Sequence, residues 1–211
     1  LLSAQGKGSY EARLGVPVAS FTYNAGPSAT EAIFGGALDV TYIGPSPVLN
    51  AYAKSKGAEI RILAGAANGG SSILVRKGVA IARIADFKGK KIATPQLGNT
   101  QDVQLRALLT ENGFSISQTG GDATVLPTQN ADLLNLFQQG ELDAAWAPEP
   151  FASVLELEAE ATNFLEDRDT NVTMLISSVA FLNDRPELAK KLAAAHRELT
   201  DWIKANPAEA R

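Results

Sequence analysis

Thr94-Pro95-Gln96-Leu97-Gly98-Asn99-Thr100-Gln101-Asp102 decides how this chain is built. Ahead of it, Lys91-Ile92-Ala93 reads as a short strand. After it, Val103 to Leu109 sets Leu105, Leu108 and Leu109 on one face of a helix. The stretch is therefore a strand-to-helix turn. Gly98 permits a tight backbone, Asn99 or Thr100 can cap the helix, and the amides of Asn99, Thr100 and Gln101 are expected to point outward. Such a helix start attracts anions through unpaired N–H groups and the helix dipole, without a lysine or arginine. The same residues also suit an ordinary capped turn.

Outward from this turn the pattern repeats. Leu14 to Thr22, with Val16, Val18 and Phe21, suggests a strand, and the turn-rich Tyr23-Asn24-Ala25-Gly26-Pro27-Ser28 leads into a helix from Ala29 to Phe34. Ser28 can cap it, with Glu31 as the capping-box partner. Val40-Thr41-Tyr42-Ile43 is an apolar strand ending at Gly44-Pro45-Ser46-Pro47, and a helix from Val48 to Lys54 follows. Ile60 to Ala64 and Ser71 to Arg76 read as strands on either side of Asn68-Gly69-Gly70. Strands alternating with helices argue for an α/β chain with mainly parallel sheets.

The second half repeats part of the first. Gly36-Ala37-Leu38-Asp39-Val40-Thr41-Tyr42 matches Gly140-Glu141-Leu142-Asp143-Ala144-Ala145-Trp146, after helices containing Phe34 and Phe137 respectively. Each is followed by paired prolines, Pro45-Ser46-Pro47 and Pro148-Glu149-Pro150. This suggests two similarly built lobes. Open α/β sheets bind ligands at strand carboxyl ends, so two facing lobes would make a cleft.

Composition narrows the classes of function. The chain has 211 residues, 45% of them hydrophobic and 20% charged, which suits one large domain or two small ones with a real core. Nineteen basic and 23 acidic residues give a formal charge of -4, with no basic run, which argues against nucleic acid as a partner. Without cysteine there is no disulfide, thiolate nucleophile or sulfur-ligated metal. No apolar run is long enough to span a membrane. Leu1-Leu2-Ser3-Ala4-Gln5 reads as a beginning in mid-sequence, as if a leader had been removed.

The stretch Ala85-Asp86-Phe87-Lys88-Gly89-Lys90-Lys91-Ile92-Ala93-Thr94-Pro95, continuing through Asp102, resembles the extracytoplasmic substrate-binding proteins of ABC importers. The nearest branch is the aliphatic sulfonate, taurine and nitrate group, of the type II periplasmic-binding-protein kind. Asn24 to Ser28, Tyr42 to Pro47, Leu142 to Pro150 and Leu199 to Pro207 are similar to that group as well, so the likeness runs from about Phe21 to the end. The resemblance implies a two-lobed clamp with two crossing segments. One lobe would hold residues 1–83 and 172–211, the other residues 84–171, with hinges near Arg83 to Asp86 and Asp169 to Val172. Asn171 to Val179 would be the returning strand. The helix from Pro186 to Lys204 would pack on the first lobe through Leu188, Leu192, Leu199 and Ile203. Two departures stand out: no opening strand and helix are recognisable before Leu14, and the join from Asp167 to Asn171 is short.

Carried over by position, the resemblance implies ligand contacts from Asn24 and Ser28, from Pro45 and Ser46, and from Gly70 and Ser71. The other lobe would contribute Gln96, Gly98, Asn99 and Thr100, with Trp146 walling off an alkyl tail and Glu149 beside it. Glu149 suits a zwitterion carrying an amine, or else points to solvent. The implied ligand is a small organic anion such as taurine or another alkanesulfonate. Nitrate, bicarbonate or a thiamin-pyrimidine precursor are the alternatives. The implied partner is a membrane permease, and the implied setting is extracytoplasmic, free or lipid-anchored, as a monomer. No cofactor, metal or catalytic residue is expected. An enzyme of the thiamin-pyrimidine synthase type would need a histidine- and cysteine-rich site, whereas this chain has one histidine and no cysteine.

Other polar residues read as structural. His196 has no ligand-spaced partner and suits a surface or packing role. Glu156, Glu158 and Glu160 alternate, cannot share one helix face and suit a solvated surface. Asp39 and Asp143 recur at the same place in each repeat, as turn residues would. Trp202 suits packing.

Overall fold

The computed structural model describes residues 9–118 and 120–210. The proposed beginning at Leu1 to Gln5 lies outside them. In chain order the elements are α1 (Ser9–Leu14), α2 (Gly26–Phe34), β1 (Val40–Ile43), α3 (Pro45–Lys54), β2 (Ile60–Asn68) and β3 (Ser71–Val75). A 3-10 turn (Ile84–Phe87), β4 (Lys91–Thr94), α4 (Thr100–Glu111) and β5 (Thr124–Pro127) follow. Then come α5 (Leu133–Gln139), β6 (Ala144–Pro148), α6 (Phe151–Glu158), β7 (Thr162–Asp167), β8 (Asn171–Ser178), α7 (Val179–Asp184) and α8 (Pro186–Ala205).

Two sheets organise the chain, as the α/β clamp requires. The first has the order β1-β8-β2 and the second β5-β4-β6-β3-β7. Their directions differ from the mainly parallel arrangement expected. β8 runs antiparallel to both β1 and β2, β3 runs antiparallel to β6 and β7, and only β4 is parallel to its neighbours β5 and β6. The cause is the double crossing: β3 and β8 each arrive from the other sheet and so oppose the strands they join.

Those crossings lie side by side. The first is Gly69-Gly70, between β2 and β3, and the second is Arg168 to Thr170, between β7 and β8. Gly69 N donates to Thr170 O at 3.0 Å. At φ +69° a Cβ on Gly69 would stand 2.8 Å from Arg168 O, so only glycine lets the two segments touch. Residues 71–75 therefore belong to the second sheet, and the first crossing falls at 69–70 rather than at 83–84. Arg83 to Asp86 instead forms the entry to the 3-10 turn, where the Asp86 carboxylate accepts from the amides of Ala82 and Arg83. The Ala82 bond is the main reason that the Asp86 carboxyl titrates below its ordinary value.

Strand alternation splits each core across its sheet. Ile73, Val75, Ile92, Leu105 and Leu109 fill one face of the second sheet, while Leu74, Ala93, Phe137, Ala145 and Leu155 fill the other. In the first sheet Ile176 packs with Ile33, Val48 and Ile60, and Leu175 packs with Phe181 and Leu192. Leu188, Leu192 and Leu199 of α8 turn inward as expected, but Ile203 is exposed and the helix buries Ala189, Ala195 and His196 instead.

The strand expected between Leu14 and Thr22 does not form. Leu14 closes α1, and Val16, Val18 and Phe21 are exposed. β1 pairs with β8 on one side only, so residues 16–22 have no ladder to join among the described residues. No helix among the described residues is long and apolar enough to cross a membrane.

Candidate functional site

A cleft of about 410 Å³ lies between the sheets, where β1, β4 and β5 end and β8 begins. The first lobe lines it with Phe21 to Gly26 and Thr41 to Gly44; the second contributes Pro95, Asn99, Thr100, Gln101, Asn130 and Pro148. No lining side chain carries a formal charge.

The turn after β4 is built around a buried carboxylate. Asp102, 1% exposed, accepts from Gly98 N at 2.9 Å, Thr94 Oγ1 at 3.1 Å and Arg106 Nε at 3.0 Å. Gly98 takes φ +76°, a left-handed conformation that glycine adopts without strain. Asn99 is the cap: its Oδ1 accepts from Asp102 N at 2.8 Å, and its own amide donates to Gln96 O at 3.1 Å. The Thr100 and Gln101 amides are then the first-turn donors left without an acceptor in the chain. Two donors are therefore left without an acceptor in the chain, fewer than the three expected.

Several expected ligand residues join the lobes instead. Asn24 Nδ2 donates to Pro95 O at 2.6 Å, and Asn24 Oδ1 accepts from Asn130 N at 3.1 Å. Ser28 Oγ and the Gln96 carboxamide lie 2.9–3.0 Å apart. Thr100 Oγ1 accepts from Ser46 N at 3.4 Å and sits where a Cβ on Gly44 would collide with it. The lobes are thus closed on each other.

Asn24, Asn99 and Thr100 line the cleft. Ser28, Ser46 and Gln96 act at its seam, and Gly98 turns its amide into the loop. Pro45 opens α3, whereas Pro47 of the same helix lines the cleft. Four expected residues stand elsewhere. Gly70 lies in the crossing, and its carbonyl accepts from Glu149 N at 2.9 Å. Trp146, 5% exposed, belongs to an apolar cluster, and its Nε1 donates to Ser71 Oγ at 2.6 Å. An indole in that cluster cannot also wall the cleft. Glu149 is exposed and accepts from Ser153 N and Oγ at 3.2 and 2.8 Å, at the start of α6, which agrees with the solvent reading of this residue.

Asn130 and Tyr42 were not among the expected ligand residues. Asn130 follows β5, so a strand-end rule applied to that weak strand could have found it. Its Oδ1 is buried with no hydrogen-bond partner in the chain. Tyr42 is held by a buried relay. Gly65 O can only accept, so His196 Nε2–H donates to it at 3.1 Å, and Nδ1 and the Tyr42 hydroxyl are hydrogen-bonded at 2.9 Å. The Tyr10 and Tyr42 hydroxyls are hydrogen-bonded to each other. Burial, then the Tyr10 bond, pushes the Tyr42 phenol well above its ordinary value. His196 is thus a satisfied packing residue.

Among the described residues no group of three or more His, Asp or Glu could hold a metal ion. The arrangement offers amides, hydroxyls and two free helix-start donors, which can hold a small polar ligand.

Comparison with known proteins agrees with this architecture. A Brucella abortus (strain 2308) protein whose name goes no further than binding protein is 29% identical over 213 residues, covering 97% of this chain and 62% of its own length. The taurine-binding periplasmic protein of Escherichia coli K12 is 23% identical over 208 residues, covering 97% of this chain and 63% of its own. This chain therefore spans under two thirds of the length of those curated relatives. The alkanesulfonate-binding protein SsuA from Xanthomonas axonopodis pv. citri, solved bound to MOPS, superposes with a TM-score of 0.82 at 23% identity, over 98% of this chain and 71% of that one. The periplasmic nitrate-binding protein NrtA from Synechocystis PCC 6803 gives 0.75 at 17% identity, over 96% and 58%. These likenesses establish the fold as that of the periplasmic binding proteins. The NMT1-like family matches residues 1–211, and the chain belongs to that family.

Proposed function

We propose that this chain is the ligand-binding part of an extracytoplasmic solute-binding protein that captures a small organic anion and delivers it to an ABC importer. The ligand class is an aliphatic sulfonate, taurine or another alkanesulfonate. The observation that carries this reading is the cleft itself, a space of about 410 Å³ with a wholly neutral lining and two unpaired amides at the start of α4. A sulfonate is anionic throughout the physiological pH range, so neutral donors and a helix start can hold it without a titrating partner. The Escherichia coli relative is named for taurine, and the bacterial SsuA carries MOPS, itself a sulfonate. NrtA supports nitrate, with bicarbonate, as the second reading. The partner is a membrane permease, the setting is outside the cytoplasmic membrane, and the working form is a monomer.

The test is a thermal-shift series on the mature protein with taurine, ethanesulfonate, longer alkanesulfonates, nitrate and bicarbonate, followed by calorimetry. A ligand that binds only the folded form raises the melting temperature by mass action. A selective rise with sulfonates is the expected result; a rise with nitrate alone assigns the second reading. No rise with any of them overturns the ligand class.

A further inference from the structure

We infer that Phe21 is a specificity-determining residue for the site proposed above, on which reading this rests: it extends an apolar wall of the first lobe over the hydrocarbon tail of a bound anion, so that the cleft selects its ligand by tail.

Free donors are unevenly shared between the lobes. Pro27, Pro45 and Pro47 remove three N–H groups from the first turns of α2 and α3. The amides of Ser28 and Ser46 are bonded to Gln96 Oε1 and Thr100 Oγ1, both at 3.4 Å. In the first three positions of these two helices, only the Gly26 amide has no acceptor among the described residues. α4 alone keeps two such amides, Thr100 and Gln101. The anionic head is therefore best held at the start of α4, on the second lobe.

The first lobe supplies carbon instead. Ala29, Ile43 and Pro47 line the cleft, and a Cβ on Gly26 would stand 2.5 Å from Pro47 Cγ and 3.2 Å from Ile43 Cβ. Those side chains thus close around Gly26 and leave no gap between them. The Tyr42 hydroxyl is taken by Tyr10 and His196. A cleft of about 410 Å³ falls in the range that encloses small organic molecules, ~300–1,000 Å³, and a bare oxyanion would leave most of it unfilled. A hydrocarbon tail fills the remainder.

Phe21 adds to this wall. It lines the cleft and yet is 62% exposed. It lies in residues 16–22, which join no ladder among the described residues. That strap is fixed at both ends: Val18 N donates to Glu11 Oε1 at 3.1 Å, and Asn24 is bonded to Pro95 O and Asn130 N of the second lobe. Phe21 is thus carried between an anchor on each lobe. A large exposed ring beside an apolar wall is stabilised by covering a hydrocarbon chain, in proportion to the area removed from water. A bare oxyanion offers no such area.

The experiment measures methane-, ethane-, butane- and hexanesulfonate binding by calorimetry for the wild type, Phe21→Ala and Phe21→Leu, at three temperatures. Wild-type affinity is expected to rise about threefold per methylene, somewhat less than for full burial of each one. The ratio of hexane- to methanesulfonate affinity is expected to fall at least tenfold in Phe21→Ala and by less in Phe21→Leu, which keeps part of the apolar area. The heat-capacity change on binding hexanesulfonate should become less negative in Phe21→Ala, a readout that a purely structural role would not move. An unchanged ratio, or an equal loss for all four ligands, overturns the role of Phe21. Wild-type binding that does not depend on tail length overturns tail selection while leaving the sulfonate reading in place. If the wild type binds no alkanesulfonate, the sulfonate reading itself fails, and tail selection falls with it.

Discussion

Asn24 Nδ2 donates to Pro95 O at 2.6 Å, and this single bond ties the loop before α2 to the turn after β4 across the cleft. The same side chain accepts from Asn130 N through its Oδ1, so one asparagine of the first lobe holds two strand-end loops of the second. Closure is therefore built partly from protein contacts.

Replacing Asn24 with alanine removes both bonds. With each worth about 0.5–1.5 kcal/mol net, sulfonate affinity should fall roughly 5- to 160-fold. Small-angle scattering should show a larger radius of gyration at subsaturating ligand. A variant with wild-type affinity and wild-type scattering would remove Asn24 from the closure.

Asn130→Leu has opposite effects on stability and selectivity. It removes a buried acceptor that has no donor, so the ligand-free protein should be no less stable, and by up to about 1 kcal/mol more stable. Any preference for taurine over ethanesulfonate should shrink. Calorimetry with both ligands and a urea midpoint decide it; a preference that survives would show that the amine binds elsewhere.

Thr100→Val keeps shape and loses a hydroxyl whose oxygen meets Ser46 N at 3.4 Å. That bond is long, so the cost in ligand affinity should be about 1 kcal/mol, near the lower end of hydrogen-bond values. A loss of 3 kcal/mol would mean that Thr100 bonds the ligand directly.

Trp146→Phe should separate stability from binding. The indole lies in the core and bonds Ser71 Oγ, so the variant should lose about 1–3 kcal/mol of stability while its sulfonate affinity stays within twofold of wild type. Chemical denaturation and calorimetry test the two halves. A selective loss of affinity for long alkanesulfonates would return Trp146 to the site.

The Tyr42 phenol gives a pH signature. Its native value is raised, so the folded protein keeps the proton while the unfolded chain releases it above about pH 10. The stabilising contribution is thus complete below that value and declines as the pH rises further. Urea midpoints between pH 9 and 11 should fall more steeply for the wild type than for Tyr42→Phe; parallel curves would mean that Tyr42 ionises in the native state.

Local readings transferred where the physics was local. The Asn99 cap, the Gly98 turn and β4 followed by α4 depend on neighbours within a few residues, and each stands where the sequence placed it. The Gly140 and Asp143 repeat behaves similarly: Gly140 caps α5 in a left-handed conformation, and the Asp143 carboxylate accepts from Lys91 N at 2.9 Å. Readings that needed a distant partner fared differently. The run from Val16 to Phe21 has strand composition but no strand beside it, and Trp146, which the family resemblance places at the cleft, lies in an apolar core cluster.

By itself the sequence determined the α/β alternation, the repeat that suggests two lobes and a helix start that needs no lysine or arginine, because periodicity, capping and composition are properties of short segments; the double crossing was implied by the family resemblance. Only the tertiary structure decided the rest. It placed the crossing at Gly69-Gly70, made Asn24, Ser28 and Gln96 partners of the opposite lobe, enclosed Asp102 behind the helix start and left the Asn130 oxygen without a donor. Apart from the enclosure of Asp102, whose partners are four to eight positions away, each of these depends on which atoms fill the space across a sheet or a cleft, and residues 68 to 106 positions apart in the chain supply those atoms.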